Sequence, residues 1–531
     1  MHLLRKPAEL LVWLTSLLLA LSSRGSLASD NEIKTFSVGG NNSDLISTLE
    51  EIQEYIVNGS GGYFRLAIAN GEYYFTGPNA TALATFYNVS HISIVGEEQG
   101  STVIHGGGEA GFVFREVNNL TLANLTFSNC SSLQNSTTTR DREPGNLSFV
   151  EFSSALYIES CSDINVESTT VTSSNAVGLA MFNNYGTNTF SNAVFSSNLH
   201  PPSDSGSSGY GGGGVILEFS FCRPGYLSCN NSDPVEVSNA SFDFSDCSFT
   251  GNNASSQGLD VFSVYPHGTE HMGFGNGGGL AVYFRGRSIN NSVTLRNCEI
   301  SYNWAEFGGG LYVDFGDESR GNVFRHTSDG ESLSVIGLNG PFAGVNPCLT
   351  QSVGGGVMVL FYYYPPDPFL WPGYYANVSG NVVEFSGTYI NSNGACWGGG
   401  VSVLSSRSLP GSPQTNSVSF NNCSFEQNKA VSSAAMDINV LRPDASRGEL
   451  LTPTITDCVF SNNTAYSHSS SHIPNLRGYQ FGIGALCLNS ISANFSGRNY
   501  FSDNQGGGLV VSGADIFVSE GSSLVFERNN G

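Results

Sequence analysis

The stretch NCEISYNWAEFGGGLYVDF, residues 297–315, runs from a cysteine through an isoleucine and an asparagine to three glycines and an alternating strand. Its first half recurs as an aromatic residue or isoleucine followed three positions later by asparagine: FSSN from 195, FTGN from 249, ISYN from 300, INSN from 390, FEQN from 425, FSNN from 460, FSDN from 501 and FERN from 526. Its second half recurs as GGGVIL from 212, GGGLAVYF from 277, GGGLYVDF from 308, GGGVSVLS from 398 and GGGLVVSG from 506. GGGVMVLF from 354 has no clear asparagine partner upstream. The shortest complete unit, Phe501 to Phe526, is 25 residues.

Short strands and turns at such a period, without helical spacing, mark a solenoid whose coils each bury a face against the next. After each triplet the apolar residues alternate, as in Leu280, Val282, Phe284 and Leu311, Val313, Phe315. That period of two turns one face of every strand inward. Cys247, Cys298, Cys423 and Cys458 then share an inward column beside Phe249, Ile300, Phe425 and Phe460. Asn198, Asn252, Asn303, Asn393, Asn428, Asn463 and Asn504 are expected to stack as an amide ladder that satisfies backbone groups at a buried turn. The glycines allow close backbone approach at a tight corner.

The amino terminus reads as a signal peptide over residues 1–28, with Arg5 and Lys6 ahead of an apolar run from Leu10 to Leu21 and small residues Ser26 and Ala28 at the cleavage point. That run is shorter than the roughly 20 residues a membrane span needs, and no later segment could span either. Seventeen N-x-S/T sequons also point to export and glycosylation. Forty-four acidic against twenty-one basic residues give a net charge of -23, which repels nucleic acid and anionic membranes. The eleven cysteines are spread too thinly for a disulfide scaffold. Cys222 and Cys229, closing the loop RPGYLS, are the candidate bridge, while Cys247 with Cys298 and Cys423 with Cys458 fit either inter-coil bridges or free core thiols.

SDLISTLEEIQEYIVN, residues 43–58, places Leu45, Leu49, Ile52 and Ile56 at helical spacing behind a Ser43 cap signal. It is expected to be an amphipathic helix covering the first coil, where a bare parallel edge would invite aggregation. First coils over 59–130 and repeat coils over 131–531 follow, in one domain. FERNNG, 526–531, ends where a glycine triplet is due, which reads as truncation before another coil.

This cap, followed by LAIANGEYY from 66, ISIVG from 92, TVIHG from 102 and LTLANLTF from 120, resembles the start of right-handed parallel β-helix proteins of the pectate-lyase-like group. The later asparagine and triple-glycine cues are similar to the repeats of bacterial polymorphic outer membrane proteins. The resemblance covers residues 31–531 at the level of repeats, without a carboxy-terminal barrel. It implies an all-β, right-handed parallel β-helix at a cell surface or secreted, and its pectinolytic members imply an acidic site on the outside of the helix.

Glycoside hydrolysis needs two carboxyls about 5–9.5 Å apart, which adjacent or next-nearest coils supply. The first outward position after the triplets reads Ala281, Tyr312, Met358, Ser402, Asp437, Val510. The second reads Tyr283, Asp314, Leu360, Leu404, Asn439, Ser512, so neither column pairs two acids. Asp314, Asp317 and Glu318 are the densest acidic group and the candidate calcium ligands, against the plainer reading of a solvated turn. HGTEH, 267–271, lacks the helical spacing of a zinc motif, and no phosphate loop or nucleophile elbow is present.

The loop FYYYPPDPFLWPGYY, 361–375, carries the candidate binding residues Tyr362, Tyr363, Tyr364, Phe369, Trp371, Tyr374 and Tyr375. Their faces suit sugar rings or a protein partner, though they could equally pack on the helix flank. Insertions near 221–234, 316–352, 361–380, 405–416 and 441–455, and near 131–148, 199–211, 254–276 and 466–480, leave the coils at two recurring points. The sequence therefore points to a non-catalytic binding, adhesion or structural module for an extracellular glycan or protein, with a lyase or hydrolase of acidic polysaccharide as the alternative.

Overall fold

In-register stacking of one coil on the next organises the computed structural model of this chain. It describes residues 33–57, 62–75, 84–98, 100–107, 111–130, 154–199, 212–219, 235–254, 276–316, 318–330, 332–340, 352–361, 377–405, 416–440, 451–466 and 483–531. Three long parallel sheets of fourteen, thirteen and twelve strands take one strand from each coil, so the chain visits them in turn along a right-handed parallel β-helix. The first sheet runs from Lys34–Val38 to Ile516–Val518, the second from Gly71–Tyr74 to Ser523–Glu527 and the third from Ala84–Tyr87 to Leu509–Ser512. Two three-stranded sheets add to the corners.

The helix Asn42–Val57 buries Leu45, Leu49 and Ile52 at the first coil. Its cap is Asn41 rather than Ser43, because Asn41 Oδ1 accepts the N–H of Asp44 at 3.0 Å. Among the described residues no helix is long and apolar enough to cross a membrane.

Like residues stack on like along the axis. Leu280 pairs with Leu311, Val357, Val401 and Met436 in successive strands. Phe219, Phe284, Phe315 and Phe361 form a stack with centroids 4.8 to 4.9 Å apart, and Phe425, Phe460, Phe501 and Phe526 form another at 4.7 to 4.9 Å. His326 interrupts a third such file, lying between Leu295 and Phe385. It is wholly buried, and its Nδ1 meets Thr388 Oγ1 at 3.0 Å.

The asparagines recurring at the corner after the second sheet form one continuous ladder. The backbone N–H and the Nδ2 of Asn252 both donate to Asn303 Oδ1, at 3.0 and 3.1 Å, while Asn303 Nδ2 donates to the carbonyl of Phe249 at 2.7 Å. The same links join Asn198 to Asn252, Asn303 to Asn339, and onward through Asn393, Asn428, Asn463, Asn504 and Asn529. Asn339 supplies the partner that GGGVMVLF lacks: Ile336 and Asn339 hold the positions of the aromatic residue and the asparagine, with Ser334 where Cys298 stands in the coil before. A second ladder, Asn291, Asn322, Asn381 and Asn416, lies before the first sheet and has no repeated cue around it.

The glycine triplets are the other half of that ladder. A Cβ on Gly310 would sit 2.9 Å from the amide of Asn339, and one on Gly279 would sit 2.9 Å from that of Asn303. The third glycine of one coil is thus the space into which the next coil's asparagine fits. Each ladder asparagine follows a residue in the left-handed region, including Tyr302 at φ 57° and Leu338 at φ 57°, which turns the chain sharply enough to bury it.

The inward column before Phe249 and its equivalents reads Cys247, Cys298, Ser334, Thr388, Cys423, Cys458, as the pairing of Ile300 with Ile336 and Ile390 requires. The four cysteines are free and buried, and each thiol donates to a carbonyl of the preceding coil, as from Cys298 to Phe244 at 3.4 Å. Cys130, Cys161 and Cys487 are also free, and burial pushes their thiols up to about 12. Cys396 is disulfide-bonded. Cys222 and Cys229 lie outside the described residues.

Asn303→Ala would leave the Asn252 N–H and the Phe249 carbonyl unpaired and lower unfolding free energy by roughly 2–5 kcal/mol. Gly310→Ala should act in the same direction, whereas Tyr302→Gly, at an exposed corner, should change it little. Urea unfolding followed by tryptophan fluorescence reads all three. A thiol reagent should leave the seven free cysteines unmodified in the native protein and reach them on denaturation.

Candidate functional site

The third sheet differs from the other two in being buried on both faces, as in Val215–Phe219, Leu280–Phe284, Leu311–Phe315 and Val401–Ser405. Stretches outside the described residues adjoin its strands in sequence, before them at 200–211, 255–275, 341–351 and 467–482 and after them at 220–234, 362–376, 406–415 and 441–450. Its outward side chains fall in two columns. The first runs Thr85, Val113, Tyr157, Ala180, Ile216, Ala281, Tyr312, Met358, Ser402, Asp437, Cys487, Val510. The second starts with Tyr87, Arg115, Glu159, Phe182 and Glu218, and continues through Tyr283 and Asp314 to Asn439, Asn489 and Ser512.

These columns correct the reading made from the triplets. That reading starts one coil too late, omitting Glu218, and skips the strand Leu486–Asn489, which no triplet precedes. Glu218 and Asp314 therefore share a column with Tyr283 between them, about 10 Å apart along the stack. Arg285 binds this group: its Nη2 contacts Asp314 Oδ2, its Nε donates to the same oxygen at 2.9 Å, and its guanidinium lies 4.6 Å over the Tyr283 ring. Tyr312 donates to Asp314 Oδ2 at 3.3 Å, and Asn276 donates to the Tyr283 hydroxyl at 3.2 Å. Burial pushes that phenol up to about 12.

A cleft of about 440 Å³ opens at the amino-terminal end of the same face, lined by Thr85, Tyr87, Arg115, Glu116, Glu159 and Ser160. Arg115 Nε donates to Glu159 Oε2 at 3.1 Å, and the Tyr157 hydroxyl donates to the same oxygen at 3.0 Å. The Arg115 guanidinium lies 5.2 Å over the Tyr157 ring, so two adjacent strands fix one charged pair. Tyr87 is 54 % exposed at the rim. Glu116 and Ser160 follow their strands in left-handed conformation, which brings both to the cleft. No repeat marks this group in the sequence, because the first coils carry neither the asparagine nor the triple-glycine cue.

Toward the carboxy-terminal end, Asp437 lies buried between Ser402 and Cys487 and accepts from Ser433 Oγ at 3.1 Å. Burial pushes its carboxyl up to about 7.

Of the acidic group chosen from sequence, Asp314 is held by Arg285, while Glu318 accepts from Arg287 at 3.3 Å and from Arg320 at 2.7 Å; Asp317 lies outside the described residues. Among the described residues no cluster of three or more His, Cys, Asp or Glu could hold a metal ion. Tyr362, Tyr363, Tyr364, Phe369, Trp371, Tyr374 and Tyr375 lie outside the described residues, as do residues 1–28 and 267–271. Twelve of the seventeen sequon asparagines are described; all are exposed or half-exposed, and none lies on a third-sheet strand.

No family model and no curated protein matches the chain. Among solved structures, it is similar to a mutant tailspike protein of E. coli bacteriophage HK620 in complex with a hexasaccharide, at 12% identity and TM-score 0.28, over 93% of this chain and 76% of that one. It is also similar to the PL6-family alginate lyase AlyGC, at 9% identity and TM-score 0.11, over 93% and 99%. The strand register fixes the fold independently of both.

Two buried groups give opposite pH dependences. Burial pulls His326 from its ordinary 6.5 down to about 3, so the unfolded chain takes up the proton first and stability falls as pH drops from 6.5 toward 3. Asp437 is raised from 3.8 to about 7, so its contribution is complete below 3.8 and is lost as pH rises through 7. His326→Phe should therefore gain stability relative to the wild type on acidification from pH 7 to 4, and Asp437→Asn should lose it, each by on the order of 3 kcal/mol. Urea unfolding at stepped pH measures both.

Proposed function

We propose that this chain is an exported, glycosylated β-helix protein that binds a neutral glycan in the cleft on the outward face of its third sheet and does not cleave it. The observation that carries this reading is the cleft itself, which combines the exposed ring of Tyr87, the Arg115–Glu159 pair and the hydroxyls of Thr85 and Ser160 in about 440 Å³. An exposed aromatic ring offers a platform for a sugar face, and a fixed guanidinium–carboxylate pair offers donors and acceptors to neighbouring hydroxyls. The volume suits a short stretch of glycan. Two glutamates against one arginine at the cleft, in a chain of net charge -23, favour neutral over acidic polymers.

A second reading, a lyase or hydrolase of acidic polysaccharide, is favoured by the Glu218–Tyr283–Asp314 column. Its carboxylates stand two strands apart with Arg285 beside them, near the separation used in inverting glycoside hydrolysis. Against it, both carboxylates are almost wholly buried and Arg285 already engages Asp314.

Incubating the purified protein with neutral glycans and with polyuronates, while following both retention and reducing ends, separates the two. Binding predicts retention of a neutral polymer, weakened at least tenfold by Arg115→Ala and by Tyr87→Ala, with no new reducing ends. Release of reducing ends, abolished by Glu218→Gln or Asp314→Asn, would establish the enzyme instead.

A further inference from the structure

Asn88-Val89-Ser90 is a glycosylation sequon on the rim of the cleft. Asn88 and Ser90 are exposed, while Val89 between them is buried. Asn88 directly follows Tyr87, the exposed ring of the cleft, at the end of the strand Ala84–Tyr87. Its N–H donates to the carbonyl of Arg115 at 3.0 Å, as that of Glu116 donates to Glu159 at 3.0 Å and that of Ser160 to Phe182 at 2.9 Å. All three residues are left-handed, with φ of 54°, 53° and 53°. They form one corner file whose other two members line the cleft. Asn88 therefore stands one strand spacing, about 4.8 Å, from Glu116. The Glu116 carboxylate in turn lies close enough to Tyr87 to hold that phenol above its usual range. Of the twelve described sequon asparagines, Asn88 is the one in this file.

A glycan carried by Asn88 would begin beside the ring and the charged pair, and it belongs to the neutral, hydroxyl-rich class that the cleft suits. Tethering places it there at an effective concentration on the order of 1 mM. A free competitor then loses affinity by one plus the ratio of that concentration to the cleft's own Kd, which is about tenfold for a Kd of about 0.1 mM. A cleft of ordinary strength for sugars is thus filled by its own chain.

We propose that the N-linked glycan of Asn88 occupies the cleft in cis and masks it from other glycans until it is trimmed or removed. This inference rests on the reading of the cleft as a neutral-glycan site and adds the regulation of that site. Tyr87 takes the face of the sugar nearest Asn88, and the Arg115–Glu159 pair on the next two strands takes hydroxyls farther along. Asn422 and Asn462 provide the contrast. They too are exposed sequon asparagines at left-handed corners, with φ of 51° and 56°, but they lie far along the axis from the cleft.

The full chain secreted by a eukaryotic host tests the proposal. Glycopeptide mass spectrometry before and after α-mannosidase treatment of the native protein reads occupancy and accessibility at each asparagine. Asn88 should carry a glycan that is trimmed at least tenfold more slowly than those of Asn422 and Asn462, and Arg115→Ala should abolish the difference. Ser90→Ala removes the acceptor signal while leaving Asn88 and every cleft residue in place. By isothermal titration it should bind free oligomannose at least tenfold more tightly than the wild type, whereas Ser90→Thr, which keeps the sequon, should match the wild type. The proposal is overturned if Asn88 is bare, if its glycan is trimmed as fast as the other two, or if Ser90→Ala gains no affinity. Equal, measurable binding by wild type and Ser90→Ala overturns the masking and leaves the cleft reading standing. Failure of Ser90→Ala to bind any neutral glycan, with the cleft vacated, overturns both.

Discussion

Burying a tight turn inside a solenoid exposes main-chain groups to an apolar interior unless something in each coil meets them. Here the ladder asparagine does so. One amide takes two donors from the coil before it through Oδ1 and returns Nδ2 to a carbonyl of that coil, so every rung completes its neighbour. The triple glycine exists because the rung needs room, and the left-handed residue before each asparagine exists because the side chain must be turned inward. Stacked phenylalanines and the buried thiols then fill what that spacing of about 4.8 Å leaves between the sheets.

Much of this was legible in the residues because it repeats. The seven asparagines, the alternation after the triplets and the cysteine column all sit at fixed offsets from an aromatic cue, and repetition separates such offsets from chance. Asn339 obeys the same rule, Ile336 followed three positions on by asparagine, and was as legible as the rest. The second ladder at Asn291, Asn322, Asn381 and Asn416 escaped because its flanking residues vary and its spacing follows the insertions between coils. The thiol state was open in the sequence, since a column of cysteines serves equally as bridges or as small core residues. The structure leaves Cys247, Cys298, Cys423 and Cys458 unbridged.

The outward face was harder to read for a physical reason. A core column is selected for sameness, whereas an outward column needs none, so its members cannot be found by matching coils with one another. Glu218 joins Asp314, 96 residues further along the chain, only through strand register. Arg115 and Glu159 meet on neighbouring strands, although forty-four residues separate them. On this face acids, arginines and tyrosines interrupt an otherwise apolar strip, and the sequon asparagines are absent from its strands.

Because each rung lends to one neighbour and borrows from the other in identical fashion, a coil is an exchangeable cassette. Asn428 and Asn463 stand 35 residues apart and make the same contacts up and down the stack. Removing the interval between them would let Asn393 meet Asn463 as it now meets Asn428, healing the core while moving everything on the outer face nearer by one strand width. Unequal recombination could thus rescale the distance between surface features without disturbing the interior, giving a lineage a ruler whose marks can be added or struck out singly.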